Sequence, residues 1–307
     1  MKLKNLLSLL CFSLFSTTML FGQMIILSGP EKASYHRFVD DMIMATTADG
    51  LMIDSTTAMF ENVATNGAAY NFDQLTDPNT PVKMVMMQSD YLYYQQMLDS
   101  KNNTEKTAPL SVLLPLADEE IHVVIRDEGR INEMEDLAKK VVACGTESQG
   151  TYATSILMKD RSRIFWNTNV LHFDAAFKDL MGRKIDAFII VGSAPLELLN
   201  INPQSMAQQI SLLSLKNVND WAKYYTPKTI KAGTYKWLEK DVDTYAVRTV
   251  LVVNESKLTD EDKAMIDSFN NSVKLHYSDM VEKGHPKWSE VNFADWDESN
   301  WRVYQNK

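Results

Sequence analysis

Short apolar runs alternate with helix-like segments along most of the chain, and this alternation is the strongest constraint on its fold. The runs predicted to be strands share a length of three to seven residues and lie at 24–27, 51–53, 82–87, 111–116, 121–125, 141–144, 187–191 and 247–253. Segments with helical apolar periodicity follow several of them, including one at residues 35–43. Strands that alternate with helices predict an α/β fold.

Capping residues locate two further helices. Ser55, Thr56 and Thr57 precede an apolar pattern at Met59, Phe60 and Val63, which predicts a helix there. Thr259, with acidic residues in the turn that follows, predicts a capped helix after the last strand.

The first 22 residues have the features of a secretory signal. Lys2 and Lys4 precede an apolar stretch at residues 6–21, and Phe21-Gly22-Gln23 places a small residue before a polar one. We therefore expect cleavage and export to a periplasmic space, with an uncleaved membrane anchor as the alternative.

Charge and cysteine content exclude several classes of protein. The chain carries 31 Lys and Arg against 40 Asp and Glu, a net charge of −9. Removal of two signal lysines would make it −11, so nucleic acid is a poor partner. Cys144 would be the single cysteine left, which excludes an internal disulfide. The histidines have no metal-ligand spacing, so we expect neither a metal nor another cofactor.

A glycine-rich turn, Gly145-Thr146-Glu147-Ser148-Gln149-Gly150, follows an apolar run and precedes a helical pattern. Such a turn directs backbone N–H groups and the positive end of a helix dipole at one point, which suits a carboxylate or phosphate. Thr151-Tyr152 replaces the Lys-Ser/Thr of a P-loop, and Thr146 replaces a glycine of a nucleophile elbow. A β–α turn that uses Gly and Ser for geometry alone is the alternative.

Polar turns at Ser28, Ser55, Gln88, Ser148 and Ser193 all follow predicted strands. Ligands of open α/β sheets bind beyond the carboxyl ends of the strands. We therefore predict two lobes that face each other across a ligand cleft, with hinge crossings near 114–121 and 245–252. Lobe I would comprise residues 23–115 and 248–307, and lobe II residues 116–247. Independent surface turns would have the same composition.

The chain resembles the TAXI family of TRAP-transporter solute-binding proteins, a branch of the type II periplasmic binding fold. The resemblance covers roughly residues 24–265 and is carried by six segments. The first three are Leu27-Ser28-Gly29-Pro30 to Tyr35-His36-Arg37-Phe38, residues 55–62, and Leu113-Leu114-Pro115-Leu116 to Glu119-Glu120-Ile121-His122-Val123. The last three are residues 145–154, Asp186-Ala187-Phe188 to Gly192, and Ile230-Lys231-Ala232-Gly233-Thr234-Tyr235 to Asp241-Val242. The resemblance implies binding of small carboxylates such as glutamate or 2-oxoglutarate, and TRAP membrane permease subunits as partners.

Two segments depart from the family pattern. A charge pair, Glu31-Lys32, stands in the opening turn where small residues are usual, and the tail from Trp288 to Trp301 is unlike the family's ending. We expect Trp288, Trp296 and Trp301 to pack over lobe I, with a partner-docking surface as the alternative.

Ten residues are predicted to contact the ligand: Ser28, Tyr35, Ser55, Thr57, Asn62, Gln88, Ser148, Thr151, Tyr152 and Ser193. For Ser55, Thr57 and Asn62, and for Ser148, Thr151 and Tyr152, the resemblance supports this role. Tyr35 could instead be a core aromatic residue, Ser55 only a helix cap, and Gln88 an ordinary loop residue.

An enzymatic function is less well supported. Glu120 and His122 lie two apart on one strand face, but no nucleophile accompanies them, so they are predicted to fix the hinge. The sequence favours a non-enzymatic, exported binding protein for a small anionic solute. The alternatives are a stand-alone ligand-sensing receptor of the same fold and an exported hydrolase using Ser148.

Overall fold

The computed structural model describes residues 22–200 and 209–305. The predicted signal segment therefore lies outside the described residues, apart from Gly22. The strands are β1 (Met24–Leu27), β2 (Phe60–Val63), β3 (Met84–Gln88), β4 (Leu110–Arg126), β5 (Val141–Ala143), β6 (Asn167–Asn169), β7 (Ala187–Gly192), β8 (Ile210–Leu212), β9 (Thr226–Ile230) and β10 (Val242–Asn254). The α-helices are α1 (Ser34–Ala48), α2 (Ala68–Thr76), α3 (Ser89–Asn102), α4 (Gly150–Ser162), α5 (Phe173–Met181), α6 (Asp260–Leu275) and α7 (Tyr277–Lys283).

The strands form one mixed sheet in the order β2-β1-β3-β10-β4-β7-β5-β6, with β8 beside β4 and β9 beside β10. In the first half, β1 is parallel to β2 and β3, and β10 is antiparallel to β3. In the second half, β5 is parallel to β6 and β7, and β4 is antiparallel to β7. Each half thus has the same strand arrangement, with β4 and β10 shared between them. The predicted two-lobed α/β fold is confirmed.

The strand register brings the carboxyl ends of the two halves together. Gln88, the last residue of β3, pairs with Thr249 of β10. Gly192, the last residue of β7, pairs with Glu120 of β4, which in turn pairs with Ala246 of β10. Ala246 and Thr249 are three positions apart on β10, which corresponds to about 10 Å at ~3.3 Å per residue. The turns that follow the parallel strands of both halves therefore meet at the middle of β4 and β10.

The hydrophobic core divides at the same level. Buried residues of β4 up to Ala117 and of β10 from Val250 pack with β1–β3, α1 and α6. The buried residues of β4 from Ile121 onward pack with β5 and β7, and so do the buried residues of β10 up to Val247. Cys144 is a buried free thiol in the second group.

Two sequence predictions about elements are wrong. The helix predicted through Met59 and Val63 is instead the strand β2, and residues 51–53 contribute only a bridge between Met52 and Ala58. Phe60 is buried against Phe269 of α6, so its packing comes from a distant helix and overrides the local pattern. In addition, the strands predicted at 111–116 and 121–125 are one strand, since residues 117–120 continue the ladder with β10.

The C-terminal tail packs on lobe I, as predicted. Trp288 is fully buried, contacts Phe38 edge-on and donates through Nε1 to Asp41 Oδ2. Trp301 is also buried and donates to the carbonyl of Leu110. In the part of the chain that the structure describes, no helix has the length and apolarity needed to cross a membrane.

Candidate ligand cavity

A cavity of about 210 Å³ opens where the two halves meet. Gly29, Tyr35, Gln88 and Glu119 line it from the β1–β3 side, while the start of α4 and Val191 of β7 line it from the other side. At about 30 Å³ per water molecule this volume corresponds to roughly seven waters.

Three α-helices begin at this cavity. The N-cap and first residues of α1 (Ala33, Ser34), α2 (Gly67, Ala68) and α4 (Gln149, Gly150) all line it. None of these helices has a side-chain cap or an acidic residue in its first turn. The first N–H groups of a helix have no partner inside it and carry the positive end of its dipole. The cavity is therefore surrounded by hydrogen-bond donors with partial positive charge.

The inner wall carries a carboxyl group of β4. Glu119 is 8% exposed, and its Oε2 accepts hydrogen bonds from Tyr35 Oη at 3.0 Å and from Gln88 Nε2 at 2.9 Å. Burial raises the pKa of Glu119 to about 7, although these two hydrogen bonds and the charge of Lys287 act in the opposite direction. Around neutral pH this carboxyl group can therefore either carry a proton or lack one.

Gln88 brings the two halves into contact. It is 4% exposed, and its Oε1 has no hydrogen-bond partner. A Cβ atom on Gly150 would lie 1.8 Å from this oxygen. A side chain at this position would have to displace the Gln88 amide, so Gly150 of the glycine-rich turn has a packing role against Gln88.

A second buried carboxylate also joins the halves, behind the cavity. Asp90 of α3 is 1% exposed, and its Oδ2 accepts from Thr154 Oγ1 of α4 at 2.7 Å and from Tyr225 Oη at 2.9 Å. Tyr93 stacks on Tyr224 beside it, with ring centroids 4.9 Å apart.

The structure brings three of the ten predicted ligand residues to the cavity, namely Tyr35, Gln88 and Thr151. The alternative role predicted for Tyr35, a buried ring with a satisfied hydroxyl, also applies, since the same side chain bonds Glu119. Thr151 Oγ1 accepts from the backbone N–H of Val191, so its hydroxyl holds α4 against β7.

Five other predicted residues lie near the strand ends but do not line the cavity. Ser28 Oγ bonds to His36 and Val63, and Asn62 Nδ2 donates to His36 and Asp40. Ser148 is exposed and bonds to Thr146, Tyr152 packs partly against the second core, and Ser193 is half-buried.

Ser55 and Thr57 were placed in the cleft by prediction, and this position is wrong. They precede β2, so they lie at the edge of the sheet opposite the carboxyl ends of the parallel strands. Thr57 binds the carboxylate of Asp54 in an exposed turn. Glu119 is the main residue that the sequence reasoning missed at the cavity. The available signal was a short acidic stretch, residues 118–120, between two apolar runs. This signal does not single out Glu119, because the groups that donate to Glu119 come from α1 and β3.

The polar residues at the crossing strands bind one another. Glu120 accepts from Lys287 Nζ at 2.6 Å and from the N–H of Ala194 at 2.9 Å. His122 is buried, with Nδ1 2.9 Å from the carbonyl of Glu120 and Nε2 2.8 Å from Tyr235 Oη. Burial lowers the pKa of His122 to about 4, so its ring is neutral at pH 7. Both ring nitrogens are used inside the protein, which leaves none for proton transfer to a substrate.

Several solved structures are similar to this chain. The substrate-binding protein of an amino acid ABC transporter has 12% identity and a TM-score of 0.48, over 88% of this chain and 96% of that one. A mutant of ArgBP from T. maritima has 12% identity and a TM-score of 0.49, over 85% and 94%. A TctC solute-binding protein from Polaromonas has 13% identity and a TM-score of 0.48, over 87% and 85%.

No curated protein matches the sequence. A family model does match it over residues 44–280, which is 237 of the 307 residues when both ends are counted. This segment includes most of the described strands, the cavity wall at Gln88 and Glu119, and the start of α4. The chain belongs to the NMT1-like family.

Proposed function

We propose that this protein is an exported, non-enzymatic solute-binding protein that captures a small carboxylate-bearing solute between its two lobes. The observation that carries the proposal is the convergence of three uncapped helix N-termini, from both halves of the molecule, on one cavity. Helix N-termini bind anions through their free N–H groups and their dipoles.

Local binding of this kind is needed because the whole chain is acidic. Its overall field repels an anion, so the attraction has to come from groups that touch the solute. Closure of the lobes would exclude water and strengthen each of these hydrogen bonds in a lower dielectric.

The lobe boundaries belong to the same proposal, with residues 23–115 and 248–307 in lobe I and 116–247 in lobe II. The division of the core between Val247 and Val250 supports the second boundary. The division on β4 falls between Ala117 and Ile121, so Leu116 and Ala117 pack with lobe I although the proposed boundary assigns them to lobe II. Export through a cleaved signal at residues 1–22, a periplasmic location and delivery to TRAP-type permease subunits, as in the TAXI family, are the finer parts of the proposal. A permease gene beside the gene for this protein would favour uptake over a stand-alone receptor.

The hydrolase alternative has little support in the described residues. Ser148 bonds to Thr146, with no histidine within hydrogen-bond reach of it. Ser28 does bond to His36, but Ser28 is fully buried and does not line the cavity. Trp288 and Trp301 are buried in lobe I and Trp296 is partly buried, which weighs against the tail as a receptor's docking surface.

Thermal-shift screening of dicarboxylates, amino acids and phosphonates tests the proposal. A solute present at 100 times its dissociation constant should add about 2.7 kcal/mol to the free energy of unfolding. If no anion in such a panel raises the melting temperature, the proposal is wrong.

The variant Ser34→Asp tests whether the ligand-induced rise in melting temperature comes from binding at the cavity. An acid in the first turn of α1 stabilises the helix by about 0.3–1 kcal/mol, so the variant should fold at least as stably as the parent. Its carboxylate would nevertheless compete with the solute, and the ligand-induced shift should disappear. The control, Ser278→Asp, adds the same charge to the exposed first turn of α7 and should keep the shift.

A further inference from the structure

The hydrogen bonds that Glu119 accepts all fall on one of its two oxygens. Tyr35 Oη and Gln88 Nε2 both donate to Oε2, and within residues 22–200 and 209–305 no donor reaches Oε1. Oε1 keeps some accessible surface, since it is not one of the enclosed side-chain atoms that lack a partner. The open space beside Glu119 is the ligand cavity, so Oε1 is accessible from it.

This arrangement is that of a neutral carboxylic acid. An ionised carboxylate is only an acceptor, and when it is buried both of its oxygens need donors. A protonated carboxyl group accepts at its carbonyl oxygen and donates from its hydroxyl oxygen. Oε2, with two donors, fits the carbonyl oxygen of Glu119, and Oε1, with none, fits the hydroxyl oxygen.

The cation that acts on Glu119 is bound elsewhere. Lys287 lowers the pKa of this carboxyl group only from a distance, because its Nζ donates to Glu120 Oε1 and to the carbonyl of Asp118. In the part of the chain that the structure describes, no lysine, arginine or histidine forms an ion pair with Glu119. A negative charge on Glu119 would therefore be buried without a partner of opposite charge.

The other described groups that face Glu119 carry no positive charge. Tyr35 of α1 and Glu120 of the same strand act on it, and Asp90 of α3 acts on Tyr35. The side chains from β3, β10, α4 and β7 are uncharged: Gln88, Val247, Thr151 and Val191. Burial raises the pKa of Glu119 to about 7, which agrees with a proton on this group near neutral pH.

We propose that Glu119 binds the solute as a neutral acid, with a hydrogen bond from its Oε1–H group to the carboxylate of the solute, so that each solute molecule is captured together with one proton. This inference rests on the proposed function and adds the protonation state of the site to it. The proton comes from the solvent and remains on Glu119 while the solute is bound.

The bound anion itself favours this state. The N-termini of α1, α2 and α4 would hold a carboxylate in the cavity that Glu119 lines. Two carboxylates that share a site resist being ionised together, so the pKa of one of them rises. Glu119 takes the proton, because its pKa is already about 7 whereas that of a simple carboxylic acid is about 4. A buried carboxyl group that is kept neutral can donate a hydrogen bond to an anion.

Calorimetric titration measures the captured proton directly. The probes are pyruvate, 2-oxoglutarate and L-glutamate, whose carboxylates stay ionised between pH 7 and pH 9. Titration at pH 8 in two buffers of different ionisation enthalpy should show uptake of about one proton for each solute bound. Raising the pH from 7 to 9 should weaken binding about 50-fold, because about half of the free protein carries the proton at pH 7 and about one molecule in a hundred at pH 9.

Glu119→Gln tests whether this residue holds the proton. Its amide has the acceptor and the donor of the neutral acid but does not titrate. The variant should take up no proton, and its affinity should change by less than about twofold between pH 7 and pH 9. The control, Glu61→Gln, removes an exposed carboxylate of β2 that does not line the cavity. It should keep both the proton uptake and the fall in affinity of the parent.

The outcomes distinguish the two proposals. Proton release or no proton exchange at pH 8, an affinity that does not fall from pH 7 to pH 9, or proton uptake that persists in Glu119→Gln overturns this inference and leaves the proposed function in place. A carboxylate of the thermal-shift panel that binds when the three probes do not takes their place in the titration. Failure of every anion to bind at either pH contradicts both proposals. If Glu119→Gln does not fold, the proton count and the pH profile of the unmodified protein decide the question.

Discussion

At the scale of single residues, Asp90 lies in an environment that its residue type does not prefer. Its carboxylate is buried between the two halves, where one oxygen accepts two hydroxyl hydrogen bonds and Oδ1 has none. Burial raises its pKa from 3.8 to about 6, against the opposing effect of those hydrogen bonds. Since the folded pKa lies above the unfolded one, ionisation of Asp90 lowers stability as the pH rises from about 4 to about 6.

Asp90→Asn should therefore change how stability depends on pH. A difference of about two pKa units corresponds to roughly 3 kcal/mol. Relative to the parent, the variant should gain about that much free energy of unfolding between pH 4 and pH 7, as measured by urea denaturation. Asp127→Asn, which changes an exposed carboxylate, should show no such gain. If the free energy of unfolding of Asp90→Asn and of the parent changed with pH in the same way, the role given to Asp90 would be contradicted.

At the scale of the element, the helices use their N-termini in two different ways. α6 satisfies its own, because Thr259 accepts from the N–H of Asp262, Asp262 accepts from that of Thr259, and three acids occupy the first turn. The helices α1, α2 and α4 have neither feature. Their N-termini therefore lack a side-chain cap, whereas that of α6 is capped by its own residues.

Thr259→Ala should cost about 1 kcal/mol of stability, the usual effect of losing a capping hydroxyl. Solute affinity should not change, because α6 does not begin at the ligand cavity. Chemical denaturation and the thermal-shift assay measure the two quantities. Ser278→Ala, at an exposed position in α7, serves as the control and should change stability by less than about 0.5 kcal/mol. A loss of affinity in Thr259→Ala would show that α6 is coupled to the cavity.

At the scale of the whole molecule, the C-terminal tail connects lobe I to the crossing strands. Lys287 is buried, and its Nζ donates to the carbonyl of Asp118 and to Glu120 Oε1. Arg248 of β10 binds both Asp118 and Asp295 of the tail. The tail therefore supplies the cation for Glu120, at the level where the two cores divide.

Lys287→Met should destabilise the protein by about 3–5 kcal/mol, because Glu120 would be left as a buried charge without a partner. The double variant with Glu120→Gln should recover part of this loss, since it removes that charge. Lys283→Met, at an exposed lysine of α7, should have an effect below about 0.5 kcal/mol. Denaturant titration of these three variants and of Glu120→Gln alone measures the effects. A loss in the double variant equal to the sum of the two single losses would mean that the two side chains do not interact.

Much of the fold could be predicted from local patterns. The buried strands at Met84–Gln88 and Ala187–Gly192 and the capped helix after Thr259 are encoded by residues close together in the chain. The segment at Phe60 could not be predicted in this way. Its apolar residues also satisfy a helical spacing, and contact with Phe269 and pairing with β1 decide in favour of a strand.

The candidate site was predictable only in part, for a related reason. The sequence marked Tyr35, Gln88 and Thr151 because polar residues after buried strands meet at one edge of a sheet. It also placed Ser55 there, because an apparent strand preceded it. Glu119 lay within the predicted crossing near 114–121 and was given no role of its own. The approach of Tyr35 and Gln88, from α1 and β3, makes it part of the cavity wall.

The sequence by itself determined the alternation of strands and helices, the net negative charge and the glycine-rich turn, because each depends on neighbouring residues or on composition. The tertiary structure decided which strand ends face each other, which helix N-termini lack a partner, and which carboxyl groups are buried beside them. These properties depend on distances between residues far apart in the chain, and the register of β4 and β10 sets those distances.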